Sequence, residues 1–345
     1  MKCIHCANDA KYSERTNGTC PKCGHAFAFE PKAGATVTDS AFQHAVERVS
    51  SDGTVKFTPR HVYYELARRT QTRTNMKAIG FGLAGLFFLA IGIGAHVALV
   101  ATAILWVAAV LSLPSKVVKL TPSEFDAMWN KWLRVHGAPK GTIVRKELPR
   151  GAKERPLPSD IQHYSFDRAV IVDRPETVDL LLANSFHFEN NCAVLSVGGY
   201  PEPAFDTVRA MLKRNPRLSV YVLHNATIEG CGLAKLLASD PSWFAPGTRV
   251  VDVGLRPGHT GPFRGLWQRW LGAPPPGDLP ASERAWLSKY TLELAAIRPE
   301  QIIKRLFRAM SNMDEVPLVD GVYFYDSSAF GSDASASDGG GDSFG

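Results

Sequence analysis

The chain has 345 residues, of which 45% are hydrophobic, with 39 Lys and Arg against 33 Asp and Glu. That length accommodates two or three compact units with a sizeable core, so the chain is not confined to one small metal-stapled domain. A net charge of +6 favours anionic partners, lipid headgroups or nucleic acid, without choosing between them.

The N-terminus carries the clearest chemistry. Cys3-x2-Cys6 and Cys20-x2-Cys23 form two knuckles thirteen residues apart. Thiolates at this spacing can close a tetrahedral Zn²⁺ site, and the metal then supplies folding energy that such a short polar segment lacks. Pro21, Lys22 and Gly24 give the second knuckle the turn residues of a zinc ribbon, expected over residues 1–30 with Cys3, Cys6, Cys20 and Cys23 as ligands of a structural zinc. A disulfide pair is the alternative. No secretory signal precedes Cys3, and reduced cytosolic thiols suit zinc better. His5 and His25 stand beside the knuckles, either as substitute ligands or as exposed ribbon residues. Cys192 and Cys231 lie singly in apolar surroundings and read as core.

A helical segment is expected over residues 31–76, with Thr58 and Pro59 as N-cap and first helical residue and Val62, Tyr63 and Leu66 at helical spacing. From Ala78 to Leu113 there are 36 residues without Asp, Glu, Lys or Arg. This run reads as a two-helix transmembrane hairpin over residues 77–114, broken at Gly92, Gly94 and His96, with about 17 residues per span. A buried helical hairpin and a single tilted span are the alternatives. Arg68, Arg69, Arg73 and Lys77 before the run and Lys116 and Lys119 after it place both termini in the cytoplasm, at the inner membrane of a bacterial cell. The lipid bilayer is then a partner. Small residues (Gly80, Gly82, Ala84, Gly85, Ala98, Ala101, Ala103) would let helices pack closely within a chain or between copies.

Residues 115–160 read as an amphipathic helix and basic linker. Thr121-Pro-Ser-Glu124 is a capping box, followed by Phe125, Met128, Trp129, Trp132 and Leu133 on one face. Lys131 to Arg155 then carry eight Lys or Arg against two Glu, either a site for anionic lipid or ordinary solvated charge.

Over residues 161–315 short apolar runs alternate with helical segments. Ala169–Val172, Cys192–Val197, Val220–Leu223 and Val250–Val253 read as strands buried on both faces. Helices are expected at Pro175–Ala183, Pro203–Lys213 and Gly232–Ser239. The fold class is therefore α/β, a parallel sheet covered by helices, with ligand sites at the carboxyl ends of the strands.

Those strand ends carry a resemblance. Val170-Ile-Val-Asp173, then Val197-Gly-Gly-Tyr-Pro201, then Val222-Leu-His-Asn225-Ala-Thr227-Ile-Glu-Gly230 resembles the Toprim domain of topoisomerases, primases and related nucleases. In that family an acidic residue ends the first strand and a DxD motif ends a later one, together holding Mg²⁺ for phosphodiester chemistry. Here Asp173 stands at the first position, and Asn225 and Thr227 stand where the DxD carboxylates would be. Hard Mg²⁺ needs anionic oxygens, so a site reduced to about one negative charge is expected not to hold it. Upstream, Phe57-Thr-Pro-Arg60-His-Val-Tyr63-Tyr64 is similar to the Arg-x-x-Tyr-Tyr stretch of the topoisomerase VI A subunit family. That resemblance would make Tyr64 the nucleophile on a DNA phosphate, Arg60 its electrostatic support, and Asp173 the residual metal position.

Gly261–Gly272 reads as a Trp- and Arg-bearing helix for a membrane interface or for docking on the sheet, and helices follow at Ala281–Ala296 and Pro299–Met313. His259 reads as a loop histidine. Residues 316–345 read as a Gly-, Ser- and Asp-rich disordered tail. The expected function is a membrane-anchored adaptor, a pseudoenzyme that binds protein or nucleic acid, alone or with a second copy of itself. The alternative is a membrane-tethered DNA-cleaving transesterase or nuclease of the topoisomerase VI A type using Tyr64 and Asp173.

Overall fold

A computed structural model describes the chain except residues 16–17, 92–101, 108–116, 145–165, 203–204, 216, 313–317, 320–321 and 325–345. It divides into two compact units. The first comprises Met1–Ala45, Val62–Gly137 and Phe263–Gln268; the second comprises Val46–His61, Ala138–Pro262 and Arg269–Gly345.

In the first unit the cysteine knuckles lead into helices α1 (Asp39–Val49), α2 (Pro59–Ile91) and α3 (Pro122–His136). Helix α3 starts where its capping box demands. Thr121 Oγ1 accepts the Glu124 N–H and Glu124 returns a bond to the Thr121 N–H at 2.8 Å. Positions i, i+4 and i+7 of this helix, Phe125, Trp129 and Trp132, are buried. Their rings pack with Phe29, Phe42 and Tyr63, Phe42 lying 4.4 Å from Trp132 and Tyr63 lying 5.5 Å from Phe125. The two tryptophans of α3 are thus core, each large ring burying on the order of 150–250 Å².

The transmembrane hairpin is corrected. Helix α2 is one continuous element of 33 residues that begins at Pro59, and its first half carries Arg60, Glu65, Arg68, Arg69, Arg73 and Lys77. Of the apolar run, residues 78–91 and 102–107 are described as helix, the longer piece about 21 Å against the roughly 30 Å of a hydrocarbon core. Among the described residues no helix is long and apolar enough to cross a membrane. The inner-membrane location and the bilayer as partner lose their basis with it. The break at Gly92, Gly94 and His96, with Ala98 and Ala101, lies outside the described residues, as does most of the second span. A close approach between small and large does occur: a Cβ on Gly85 would fall 2.5 Å from Trp106 Cδ1.

The second unit is built on a sheet of β1 (Arg168–Val172), β2 (Cys192–Ser196), β3 (Ser219–Leu223), β4 (Arg249–Asp252), β5 (Leu318–Val319) and β6 (Val322–Phe324), in the order β2-β1-β3-β4-β6-β5. All neighbouring pairs are parallel except β5 with β6. Helices α4 (Pro175–Ala183), α5 (Phe186–Glu189), α6 (Phe205–Arg214), α7 (Ile228–Ser239), α8 (Ala281–Leu287) and α9 (Pro299–Ser311) accompany it. Both faces of the central strands are covered, which is why they read as unbroken apolar runs. Ala169, Ile171, Val220 and Val222 join Leu212 of α6 and Leu233 and Leu237 of α7 in one core, each large aliphatic contributing about 1.5–3 kcal/mol.

Two expected helices are different elements. Gly261–Gly272 is a 3₁₀ turn at Gly261–Phe263 followed by extended Gln268–Arg269, because Pro262 and a left-handed Gly265 (φ 103°) interrupt any helix. Ala281–Ala296 stops at Leu287 and continues as extended Tyr290–Thr291 and a 3₁₀ turn at Leu294–Ala296. The segment expected as disordered from residue 316 contains β5 and β6; residues 325–345 lie outside the described ones.

Candidate functional site

Two places gather chemistry, one in each unit. In the first, the four N-terminal cysteines converge, with all four sulfurs within 4.8 Å of one another. Cys3 Sγ lies 3.8 Å from Cys23 Sγ, and Cys6 Sγ lies 3.6 Å from Cys20 Sγ. A tetrahedral ion with bonds of about 2.3 Å to sulfur sets its ligands about 3.8 Å apart, so the cluster could hold such an ion. A disulfide needs about 2.05 Å, and all six cysteines are free thiols.

The backbone makes this convergence. Each knuckle closes on itself, the Ala7 N–H donating to the Cys3 carbonyl at 2.9 Å and the Gly24 N–H to the Cys20 carbonyl at 2.8 Å. The residue after each second cysteine is left-handed, Ala7 at φ 57° and Gly24 at φ 70°. The Cys23 N–H, then the Lys22 N–H, point at the Cys20 sulfur and bring its pKa down to about 6. At Cys23 the pull of the His25 backbone is outweighed by burial and the other sulfurs, which push it up to about 12, so that without an ion the negative charge gathers on Cys20. The cluster contains cysteines only; His5 and His25 stack on each other at 4.5 Å beside it.

The second place is the crevice at the carboxyl ends of β1 and β3. Strand β1 is central and the chain leaves it in opposite directions for β2 and β3, so this is a topological switch point, where open α/β sheets bind ligands. Val172 pairs with Leu223, which brings Asp173 beside His224 and Asn225. Asn225 donates to Asp173 Oδ2 twice, from its backbone N–H at 2.9 Å and its Nδ2 at 2.8 Å. Its Oδ1 accepts the Leu294 N–H at 2.6 Å. Ala226 and Leu292 exchange two backbone bonds of 2.9 and 3.1 Å. The crevice is therefore bridged by the protein's own Leu292–Leu294 segment, and Leu292 and Leu294 are buried. Asp173 Oδ1 is buried with no hydrogen-bond partner among the described residues. Burial pushes the Asp173 pKa up, against the pull of the Asn225 amide.

Thr227, the other position where the resemblance would place a carboxylate, caps α7, its Oγ1 accepting the Gly230 N–H at 3.0 Å. Arg60 holds Glu293 in a bidentate pair at 2.6 and 2.7 Å, and so anchors the bridging segment from the start of α2. Tyr64 is 1% exposed, and its hydroxyl accepts Gln268 Nε2 at 2.7 Å. Tyr64 belongs to the first unit, Arg60 and Asp173 to the second. The structure thus brings Asp173 and Asn225 into direct contact and gives Thr227, Arg60 and Tyr64 structural partners.

Beneath the crevice runs a buried ionic network that motif reading missed. His224 gives its Nε2 to Asp252 Oδ1 at 3.0 Å, Arg256 reaches Asp252 Oδ2 at 2.8 and 3.0 Å, and Glu283 accepts both bonds of 2.8 Å from Arg256 Nη1. Burial works against the charge on His224, but Asp252 outweighs it and raises the pKa. Burial likewise opposes ionisation of Asp252, but His224 and then Arg256 hold its carboxyl far below the usual range. The available signal was the Asp in Val250-Val-Asp252-Val, a charge in a buried strand that must have a partner.

A scan against known protein families, a search of curated proteins and a search of solved structures each returned no match.

Proposed function

We propose that this chain is a non-catalytic binding protein, an adaptor whose N-terminal ribbon holds a structural Zn²⁺ and whose Toprim-like sheet domain has lost its metal chemistry. Four thiolates in a closed tetrahedral arrangement are a structural zinc set, with no position left open for water. The observation that carries the non-catalytic reading is the pair of Asn225 bonds on Asp173 Oδ2. They occupy with amide hydrogens Oδ2 of the one carboxylate at these three positions, and that carboxylate's pKa is raised. Phosphoryl transfer without such a cation loses its main source of charge stabilisation. The buried, hydrogen-bonded Tyr64 hydroxyl supports the same conclusion. Binding of a protein or nucleic acid is then its work, and the net charge of +6 favours an anionic partner.

The test is calorimetric titration of the intact chain with Mg²⁺ and Mn²⁺. No saturable binding is expected below the millimolar range. Saturable sub-millimolar binding that disappears in Asp173→Ala would overturn the reading.

A further inference from the structure

The metal centre is wired into the helices of its unit. His25, two residues beyond Cys23, accepts the Cys20 N–H on its carbonyl at 2.9 Å. Its ring lies between His5, at 4.5 Å, and His136, at 5.7 Å. His136 ends α3, stacks against Trp132 at 4.4 Å, and donates from Nε2 to Asp39 Oδ2 at 2.6 Å. Asp39 is fully buried at the start of α1 and also accepts the Ala28 N–H at 2.9 Å and the Phe29 N–H at 2.7 Å. One carboxylate therefore fastens the end of the ribbon and the end of α3 together.

We propose that Asp39 and His136 are positioning residues for the metal centre, and that through them metal occupancy is coupled to the order of the aromatic core around Trp132. The proposal rests on the zinc-ribbon reading. A ribbon of this size has little cohesion of its own once its ion leaves. If it loosens, Asp39 loses two of its three donors and remains a buried charge, so the core around it rearranges rather than keep it. Coupling of this kind is reciprocal: if bound metal stabilises the latch by a given factor, the intact latch tightens metal binding by that same factor. Outer partners of metal sites are typically worth about 10–100-fold in affinity.

The experiment titrates zinc-loaded intact protein with a chromophoric chelator while recording near-UV circular dichroism, with Trp132→Phe identifying the Trp132 signal. Zinc release and loss of that signal are expected to coincide. Asp39→Asn and His136→Phe, the latter keeping the ring stack without the N–H, are each expected to weaken zinc binding about tenfold or more, and the double variant no further than the weaker single. A Trp132 signal unchanged by zinc removal overturns the coupling; this titration of the unmodified protein decides the matter even where a variant misfolds. Folded variants binding zinc within about twofold of the unmodified protein overturn the positioning role. A chain that takes up no zinc overturns the ribbon reading instead.

Discussion

Acidification should destabilise this protein through one histidine, and the size of the effect follows from its surroundings. His61 is 5% exposed. Its Nδ1 accepts the Thr58 N–H at 3.3 Å and meets Thr58 Oγ1 at 2.8 Å, so the neutral ring carries its proton on Nε2, which is buried without a hydrogen-bond partner among the described residues. Burial brings the pKa down to about 4, against the opposing pull of Thr58. In the unfolded chain the ring takes up a proton near 6.5; in the folded chain it does so only near 4. Between these values the unfolded state binds more protons, so stability falls as pH falls, and the loss is complete by about pH 4. At about 1.4 kcal/mol per pH unit the loss is about 3 kcal/mol. His61→Gln isolates it, because Thr58-x-x-Gln is a capping box that preserves the start of α2 without a titrating group. Urea denaturation followed by far-UV circular dichroism between pH 7 and pH 4 should show the unmodified protein losing about 3 kcal/mol more than the variant. Curves that stay parallel within about 0.5 kcal/mol would refute the reasoning.

Two further outcomes concern the strand ends. Asp252→Asn removes the carboxylate that His224 and Arg256 share and leaves Arg256 with Glu283 alone, a loss of about 3–5 kcal/mol that a lowered urea midpoint would report. A change below about 1 kcal/mol would mean that solvent already screens the network. Gly230→Ala would put a Cβ 2.3 Å from the Asn225 carbonyl oxygen and 3.0 Å from Thr227 Oγ1, so the turn that seats Asn225 must shift. A thermal midpoint lowered by at least about 2 °C is expected, and an unchanged midpoint would show that the turn yields freely.

The sequence made the sheet legible because buried parallel strands are short apolar runs, and all four were placed to within a residue at each end. Thr121-Pro-Ser-Glu124 located the start of α3 for an equally local reason. The contacts that matter most at both sites are not local. Asp39 and His136 are 97 residues apart, and Asp173 and Asn225 are 52 apart. A carboxylate that clamps a ribbon looks in sequence like any helix-start Asp. Helix α1 was not singled out within the helical segment expected over residues 31–76, and β6 went unseen, its three residues taking their place by pairing with β4 rather than from their own composition. The membrane reading failed because counting uncharged residues ignores the helix they belong to: the same helix carries Arg60 to Lys77 in its first half.

Asn225 and Thr227, the positions where the resemblance would place carboxylates, are each fixed by a hydrogen bond from neighbouring main chain. Asp is as good a helix cap as Thr, so position 227 would accept it with the turn intact. At position 225 an Asp would still receive the Leu294 N–H but would face Asp173 with a second negative charge in place of a donor. Two carboxylates so close must share a proton or recruit a cation. Which side chains stand at 225 and 227, rather than the course of the main chain, thus sets how much negative charge gathers beside Asp173.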